Sequence, residues 1–398
     1  MKNHIKDLKD PTLPISVATM IKSAHGQRNL FNFSEKDPMA ERKKVLAARR
    51  IGFEKLQNLP LHDPQARELA YRNLQSDSMF QELKLMMDTW SACWFWPPDK
   101  LHIAPKPSNF RNLATGQTLS IVNKIVREQK FFHWELEFPD IFVSEHSGFS
   151  AIIGNPPWEE LRPNSIEFFS RYDSIWNTYG SKSAKQKMIH LFEDNPSIEY
   201  AWVSYNDGLT AFAHFCRYSN NPWGYDLITI DKKSKNQETH DIWRQIRSSS
   251  FDDKLRKGFE LQGENTFNFY KLFLEFGWNR LSSTGSLGMI VPHGIYGDSG
   301  TKVLRNEFIT KGTWEWLFMF VNYNSIFPIA NKSKFGAIIV NRVHSEKAIK
   351  STFLCQSLAD WDQAELVCID YDTEITKQMA SESKIQSHLD KEIKIPGM

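Results

Sequence analysis

"FSAIIGNPPWEEL", Phe149 to Leu161, decides how the chain is read. An apolar run of strand length ends on Gly154, Asn155 and two prolines, and a tryptophan follows at once. Pro156 and Pro157 lack N–H groups and have fixed φ, so neither the strand nor a helix continues through them. The turn is stiff and poor in donors. In an open α/β sheet, ligands bind outside the carboxyl ends of the strands, which is where Asn155 to Trp158 fall. The tryptophan at the end of the turn is expected to be an exposed aromatic face.

Those residue types suit one kind of chemistry. An exocyclic amine on an aromatic ring, such as N6 of adenine, is a poor nucleophile because its lone pair is delocalised. A site that accepts hydrogen bonds from both amine hydrogens draws the nitrogen toward tetrahedral geometry and frees that pair for an electrophile. The side-chain oxygen of Asn155 supplies one acceptor and the main-chain carbonyl of Pro156 the other. Trp158 offers a flat face on which a planar base stacks, worth roughly 1 to 3 kcal/mol.

Outward from the turn, the pattern changes on both sides. From Ser34 to about Trp96 it is helical: Val45, Ala48, Ile51 and Leu56 fall at roughly helical spacing among many charges. The basic cluster Arg42, Lys43, Lys44, Arg49 and Arg50 in this stretch reads as a solvated face. "WPPDKLHIAPKPSNF", Trp96 to Phe110, carries four prolines and reads as a linker. A further helical stretch, "GQTLSIVNKIVREQK", leads into the aromatic and acidic segment "FFHWELEFPDIF". After Pro157 about a hundred residues are polar and mainly helical, with "NNPWG" (Asn220 to Gly224) reading as a turn. From Gly263 an α/β pattern resumes. "GENTFNFYKLFLEFGWNRL" and "LRNEFI" read as helices, and "GSLGMIVP", "WEWLFMFVN" and "FGAIIVNR" as strands, which predicts one open, largely parallel sheet. The last fifty or so residues are polar, with one apolar run, "AELVCIDY", and no assigned role.

Composition sets looser bounds. The chain has 398 residues, 41% hydrophobic and 24% charged, enough to bury a core in two or three structural units. Its formal net charge is only +2, so any contact with nucleic acid must come from local basic patches. Four scattered cysteines, Cys93, Cys216, Cys355 and Cys368, and an N-terminus without an apolar core predict a reduced, cytoplasmic protein. No apolar run is long enough to span a membrane. His102, His133, His146, His214 and His293 show no metal-ligand spacing, so no metal site is expected and each histidine reads as satisfied by packing. There is no phosphate-binding glycine loop of the nucleotide-hydrolase kind.

The turn and its flanks resemble N6-adenine-specific DNA methyltransferases, whose N-P-P-[Y/W/F] motif "NPPW" matches. "FFHWELEFPDIF" before "GFSAIIGNPPWE" looks like the lead-in to the catalytic loop of large type IIG restriction-modification and phage-defence methyltransferases. "GENTFNFYKLFLE", "GSLGMIVPHGIYGDSGTKVLRNEF" and "NSIFPIANKSKFGAIIVNR" look like the later blocks of the same family, so the resemblance runs from Phe131 to Arg342. It implies an α/β fold, the second half of a Rossmann-like class I methyltransferase sheet, with a helical N-terminal region and a helical insertion. It divides the chain into a helical region over 1–130, with its Pro-rich linker near 96–110, and a catalytic segment over 131–345 with an insertion at about 165–260. A tail, or the start of a recognition domain, fills 346–398.

The resemblance further implies that Asn155, Pro156, Pro157 and Trp158 bind and activate a flipped adenine in double-stranded DNA. Gly154 allows close backbone approach, and the segment from Pro292 to Gly300 lies near the base pocket. The methyl donor it implies is S-adenosylmethionine. The family's cofactor loop, D-P-x-x-G-x-G or F-x-G-x-G, should precede Asn155, but "SAHGQRN" and "LATGQTL" carry one glycine each and "GSLGM" lies on the wrong side. The cofactor-binding half is therefore expected on a partner chain, which would make this chain one subunit of a split enzyme, or else a fragment. Two alternatives have the same motif: a catalytically inactive DNA-binding scaffold, and an enzyme that methylates a glutamine amide in proteins. Half a sheet would also expose a strand edge that a partner or the N-terminal helices must cover.

Overall fold

The structure, a computed structural model, describes residues 38–97, 100, 103–105, 116–142, 147–218, 259–263, 267–345 and 347–372. The longer helices and the strands run α1 (Pro38–Gln57), α2 (Pro64–Gln75), α3 (Ser78–Ala92), α4 (Gly116–Gln129), β1 (Phe149–Gly154), α5 (Ser165–Phe169), α6 (Ser181–Asp194) and α7 (Pro196–Tyr218). They continue with α8 (Phe269–Trp278), β2 (Leu281–Pro292), α9 (Lys302–Thr310), β3 (Thr313–Val321), β4 (Lys334–Asn341), β5 (Ile349–Cys355) and β6 (Ile369–Tyr371). The chain is α/β and divides into two compact units, one of residues 1–137 with 161–258, the other of 138–160 with 259–398.

The first unit is helical among its described residues. Asp63 and Asp77 cap α2 and α3, each side chain accepting from the backbone N–H three residues on. On α1 the inward face differs from the expected one. Val45 and Leu46 are buried, but Ala48 and Ile51 are exposed, and Arg49 turns inward instead. Its guanidinium lies 3.5 Å from the centroid of Phe80, and it donates to the carbonyls of Leu136 and Leu74. Arg49 therefore leaves the expected solvated cluster: two carbonyls and an aromatic ring replace its water. The described part of the proline-rich stretch is no free linker either. Trp96 and Ala104 pack with Ala92, Val122 and Ile125 in one apolar cluster. His133 is buried and bonds Asp88 at 2.8 Å, as expected of a packed histidine, while Lys84 bonds the other oxygen of Asp88. In the insertion, α6 and α7 pack on the aromatic cluster of Phe168, Phe169, Trp176 and Ile198. The "NNPWG" turn lies outside the described residues.

The second unit is built on a six-stranded sheet of order β1-β2-β4-β3-β5-β6. β1 pairs with β2 in parallel, and so does β3 with β5, but β4 runs antiparallel to both β2 and β3, and β6 antiparallel to β5. The sheet is thus mixed where a largely parallel one was expected. The reason is the connection from Val321 to Lys334, which holds no crossover helix among its residues and returns the chain as a hairpin. Trp278, Leu287, Val291, Phe308, Trp314, Leu317, Ile338 and Val340, each nearly or wholly inaccessible, form the core between sheet and helices. β1 lies at the end of the sheet, and Ile153 on it is 88% exposed.

Arg305 on α9 is wholly buried and donates to the carbonyls of Ile295 and Asp298 and to Oγ1 of Thr301, which fixes the loop after β2. Glu275 on α8 is also buried. It accepts from the backbone N–H groups of Glu260 and Leu261 and from Nε2 of Gln262, and burial pushes its carboxyl up from an ordinary 4.5 to about 7. A carboxyl with a raised folded-state pKa favours folding when protonated, so its stabilisation is full below pH 4.5 and is lost as pH rises through 7. The loss is worth about 3 kcal/mol. The urea midpoint of the wild-type chain is expected to fall from pH 5 to pH 7 more steeply than that of Glu275→Gln, whose side chain does not titrate. Parallel profiles would refute this.

Candidate active site

The site grows from the carboxyl ends of two adjacent parallel strands. Gly154 is in register with Met289, so the turn after β1 and the segment after β2 leave the sheet side by side. Asn155 and Pro157 are exposed, Pro156 is buried and Trp158 is half-buried. The tryptophan is less free than its sequence context implies. Its ring lies 6.0 Å from Phe335 and 6.3 Å from Phe327, the latter edge-on at 80°. Its Nε1 is buried and has no hydrogen-bond partner.

The turn is pinned from the far side. Asn268, the N-cap of α8, donates through Nδ2 to the carbonyl of Trp158 at 3.2 Å and accepts from the N–H of Tyr270. Phe269 N–H donates to the carbonyl of Glu159 at 3.0 Å. One asparagine therefore starts a helix and fixes the motif.

Trp158 and Pro292 line one cleft of about 510 Å³, together with Glu160, Asn268, Tyr270, Lys271, His293 and the loop from Gly294 to Thr301. Of the residues singled out in the sequence, Trp158 and Pro292 meet there, and the stretch from Pro292 to Gly300 does border it. Asn155, Pro156 and Pro157 are not part of its wall. Gly154 has a packing role, since a Cβ there would lie 3.1 Å from Sδ of Met289.

Besides Trp158, much of the cleft lining is polar. Lys271 is 4% exposed, and burial lowers its pKa against the pull of Asp298 and Glu160. The Asp298 carboxylate sits over Gly294, where a Cβ would approach Oδ2 to 2.2 Å and the Tyr270 hydroxyl to 3.3 Å. Burial, and then Asp298, hold the Tyr270 phenol protonated. A cleft lined by an indole ring, carboxylates, an ammonium and an imidazole is suited to a planar heterocycle that carries both donors and acceptors. Asn268 and Lys271 were not foreseen, and Asp298 only as part of the stretch from Pro292 to Gly300. Only Asn268 left a signal, a capping residue directly ahead of the apolar helix "FYKLFLEFGW".

With the turn, the paired strand ends and the cleft in view, comparison with known proteins is informative for one segment. Residues 62–195 match the Eco57I restriction-modification methylase family. The Eco57I match includes the whole of β1, the NPPW turn and α6, and it begins in the helical region, ahead of the blocks that carried the resemblance. No curated protein matches the chain. Among solved structures, similarity is found to a class I S-adenosylmethionine-dependent methyltransferase from Listeria monocytogenes, at 9% identity over 88% of this chain and 98% of that one, with a TM-score of 0.23. The DrdV–DNA complex gives 9% identity over 92% and 44% with a TM-score of 0.22. The type ISP restriction-modification enzyme LlaGI, bound to a DNA substrate mimic, gives 12% over 92% and 35% with a TM-score of 0.22. At these scores the structural likenesses carry no argument, and the Eco57I match stands on its own.

No helix among the described residues is long and apolar enough to cross a membrane, and none of their acidic, cysteine or histidine side chains cluster as metal ligands. No disulfide joins the four cysteines, and Cys93, Cys216 and Cys355 are buried.

Proposed function

We propose that the chain is the catalytic subunit of an adenine-specific DNA methyltransferase of restriction-modification type, acting on N6 of a flipped adenine in duplex DNA. The observation that carries this reading is the NPPW turn at the carboxyl end of β1, beside the end of β2, with Trp158 forming a wall of a polar cleft. The Eco57I match over the same turn supports it.

In this reading the Asn155 side-chain oxygen and the Pro156 carbonyl accept the two N6 hydrogens, Trp158 stacks on the base, and Asn268 holds the turn through the Trp158 carbonyl. Two acceptors are enough to orient the amine and free its lone pair, and no strong base is required for that role.

The methyl donor of such enzymes is S-adenosylmethionine. The described residues do not fit it. Among them no strand and no glycine-rich strand-to-helix turn precedes Phe149, and Gly116 opens α4 directly. We therefore assign the donor's binding half to a partner polypeptide. β1, at the end of the sheet with Ile153 uncovered, supports that assignment.

The test is a transfer assay with labelled S-adenosylmethionine and mixed-sequence duplex DNA, the chain alone and with the products of neighbouring reading frames, read as labelled N6-methyladenine. Label on a protein glutamine and none on DNA would favour the glutamine-amide alternative. Duplex binding without transfer in every mixture would favour the scaffold.

Two substitutions at Trp158 add a sharper check. Trp158→Ala is expected to raise the KM for DNA by roughly 5- to 150-fold, the equivalent of about 1 to 3 kcal/mol of stacking. Trp158→Phe keeps a ring and removes an N–H that has no acceptor, so its melting temperature is expected to equal or exceed that of the wild type. Equal KM values for all three proteins would remove Trp158 from base binding.

A further inference from the structure

Many basic residues of the first unit are paired with an acid nearby in the chain. Arg50 pairs with Glu54, Arg72 with Glu68, Lys84 with Asp88, Lys124 with Glu128 and Arg171 with Glu167, each four residues apart. On α6, Lys182, Lys185 and Lys187 have no acid three or four residues away in either direction. All three are exposed, and none makes an ion pair with another of the described residues. The acids of this helix, Glu193 and Asp194, lie at its far end, and Glu193 faces His190 at 3.3 Å.

The opposite side of α6 is already used. Ala184, Met188, Leu191 and Phe192 pack on the aromatic cluster of the insertion, which leaves Lys182 on the solvent side of the helix with Lys185 on one flank and Lys187 on the other. A shallow groove of about 450 Å³ runs along the outward side, lined by Tyr179, Ser183, Gln186, Lys187, Ile189 and His190. The Tyr179 hydroxyl already donates to Asp173, but the Ser183 hydroxyl, the Gln186 amide and the Lys187 ammonium are donors suited to phosphate oxygens. Lys182 and Lys185, three apart on one face, repel each other, and neither has an acid three or four residues away to offset the repulsion. A polyanion offsets it.

We propose that the solvent side of α6, with lysines on both flanks, contacts the phosphate backbone of duplex DNA. The proposal rests on the reading of the chain as a DNA methyltransferase and adds to it a surface for the duplex remote in sequence from the motif. The face selects no base, because phosphates are the same at every step. It raises affinity uniformly and makes binding depend on salt.

The experiment is fluorescence anisotropy of a labelled 30-base-pair duplex of mixed sequence, titrated with the full chain at four salt concentrations. Wild type is compared with the triple variant K182Q/K185Q/K187Q and with K124Q, which removes a paired lysine. Glutamine matches lysine in helix propensity, and the helical circular dichroism of all three proteins is compared first. Loss of three phosphate contacts at about 0.9 each is expected to reduce the slope of log K against log salt by about 2.7 in the triple variant, with binding about tenfold or more weaker at 50 mM salt. K124Q is expected to keep the wild-type slope. A triple variant that is folded and binds with the wild-type slope would overturn the proposal and leave the reading of the motif intact. A wild-type chain that binds no duplex at all would overturn both.

Discussion

Asn155→Ala is expected to lower methyl transfer by about a hundredfold to a thousandfold, the cost of removing one preorganised hydrogen-bonding group aimed at developing charge. The effect belongs to the chemical step. Asn155 is exposed at the mouth of the turn and bears no load in the core, so the melting temperature of the variant is expected to stay at the wild-type value. Loss of kcat with KM for DNA retained would fit an acceptor that acts on the amine as it reacts. A variant that keeps wild-type kcat would end the proposed role, whatever happened to binding. Asn155→Asp separates charge from geometry: it keeps the acceptor but adds a negative charge, and is expected to recover part of the loss.

The second large effect is expected from a residue that touches no substrate. Gly148 immediately precedes β1 with φ +125°, and its N–H donates to the carbonyl of Ile141. A Cβ at this position would lie 2.4 Å from the carbonyl carbon of Leu281 and 2.4 Å from the nitrogen of Ser282. Both atoms belong to the backbone of β2, so neither can swing aside as a side chain would. Gly148→Ala therefore combines an unfavourable φ with a backbone overlap, and strand β1 must leave its register on β2 to relieve them. Expected are a fall in transfer at least as large as that of Asn155→Ala and a melting transition lowered by several degrees, about 2 kcal/mol or more. Amide exchange should localise the damage, with faster exchange at Ala151 to Gly154 and unchanged protection in β3 and β4. Uniform loss of protection would mean that β1 is integral to the core, and wild-type behaviour would mean that the backbone of β2 yields.

These expectations indicate how far the sequence alone could lead. Strands β2, β3 and β4 and helix α8 were legible because each is a continuous or periodic apolar run between polar breaks. The direction of β4 was not, because residues buried on both faces look the same in parallel and antiparallel sheets; only the lack of a crossover helix before Lys334 distinguishes them. β5, "IKSTFLC", escaped notice because Lys350, Ser351 and Thr352 break its apolar pattern, yet Ser351 and Thr352 are buried by pairing with β3. Arg49 sits at inward helical spacing with Val45 and Leu46, but its charge hid that face. At the site, the turn itself was readable as four letters after a strand. Its setting was not, since Asn268, Phe327 and Phe335 reach Trp158 from more than a hundred residues away.

That separation bears on the order of assembly. Val321 pairs with Lys334, 13 positions later (334 − 321), whereas Gly154 pairs with Met289, 135 positions later (289 − 154). Closing the longer loop costs about 2 kcal/mol more in chain entropy. The β3–β4 hairpin is therefore expected early in folding, and β1 should dock on a sheet already formed. The strand that carries the NPPW turn arrives last and leaves first, so mild denaturant or heat should extinguish activity while the tryptophan-rich core still gives a native signal.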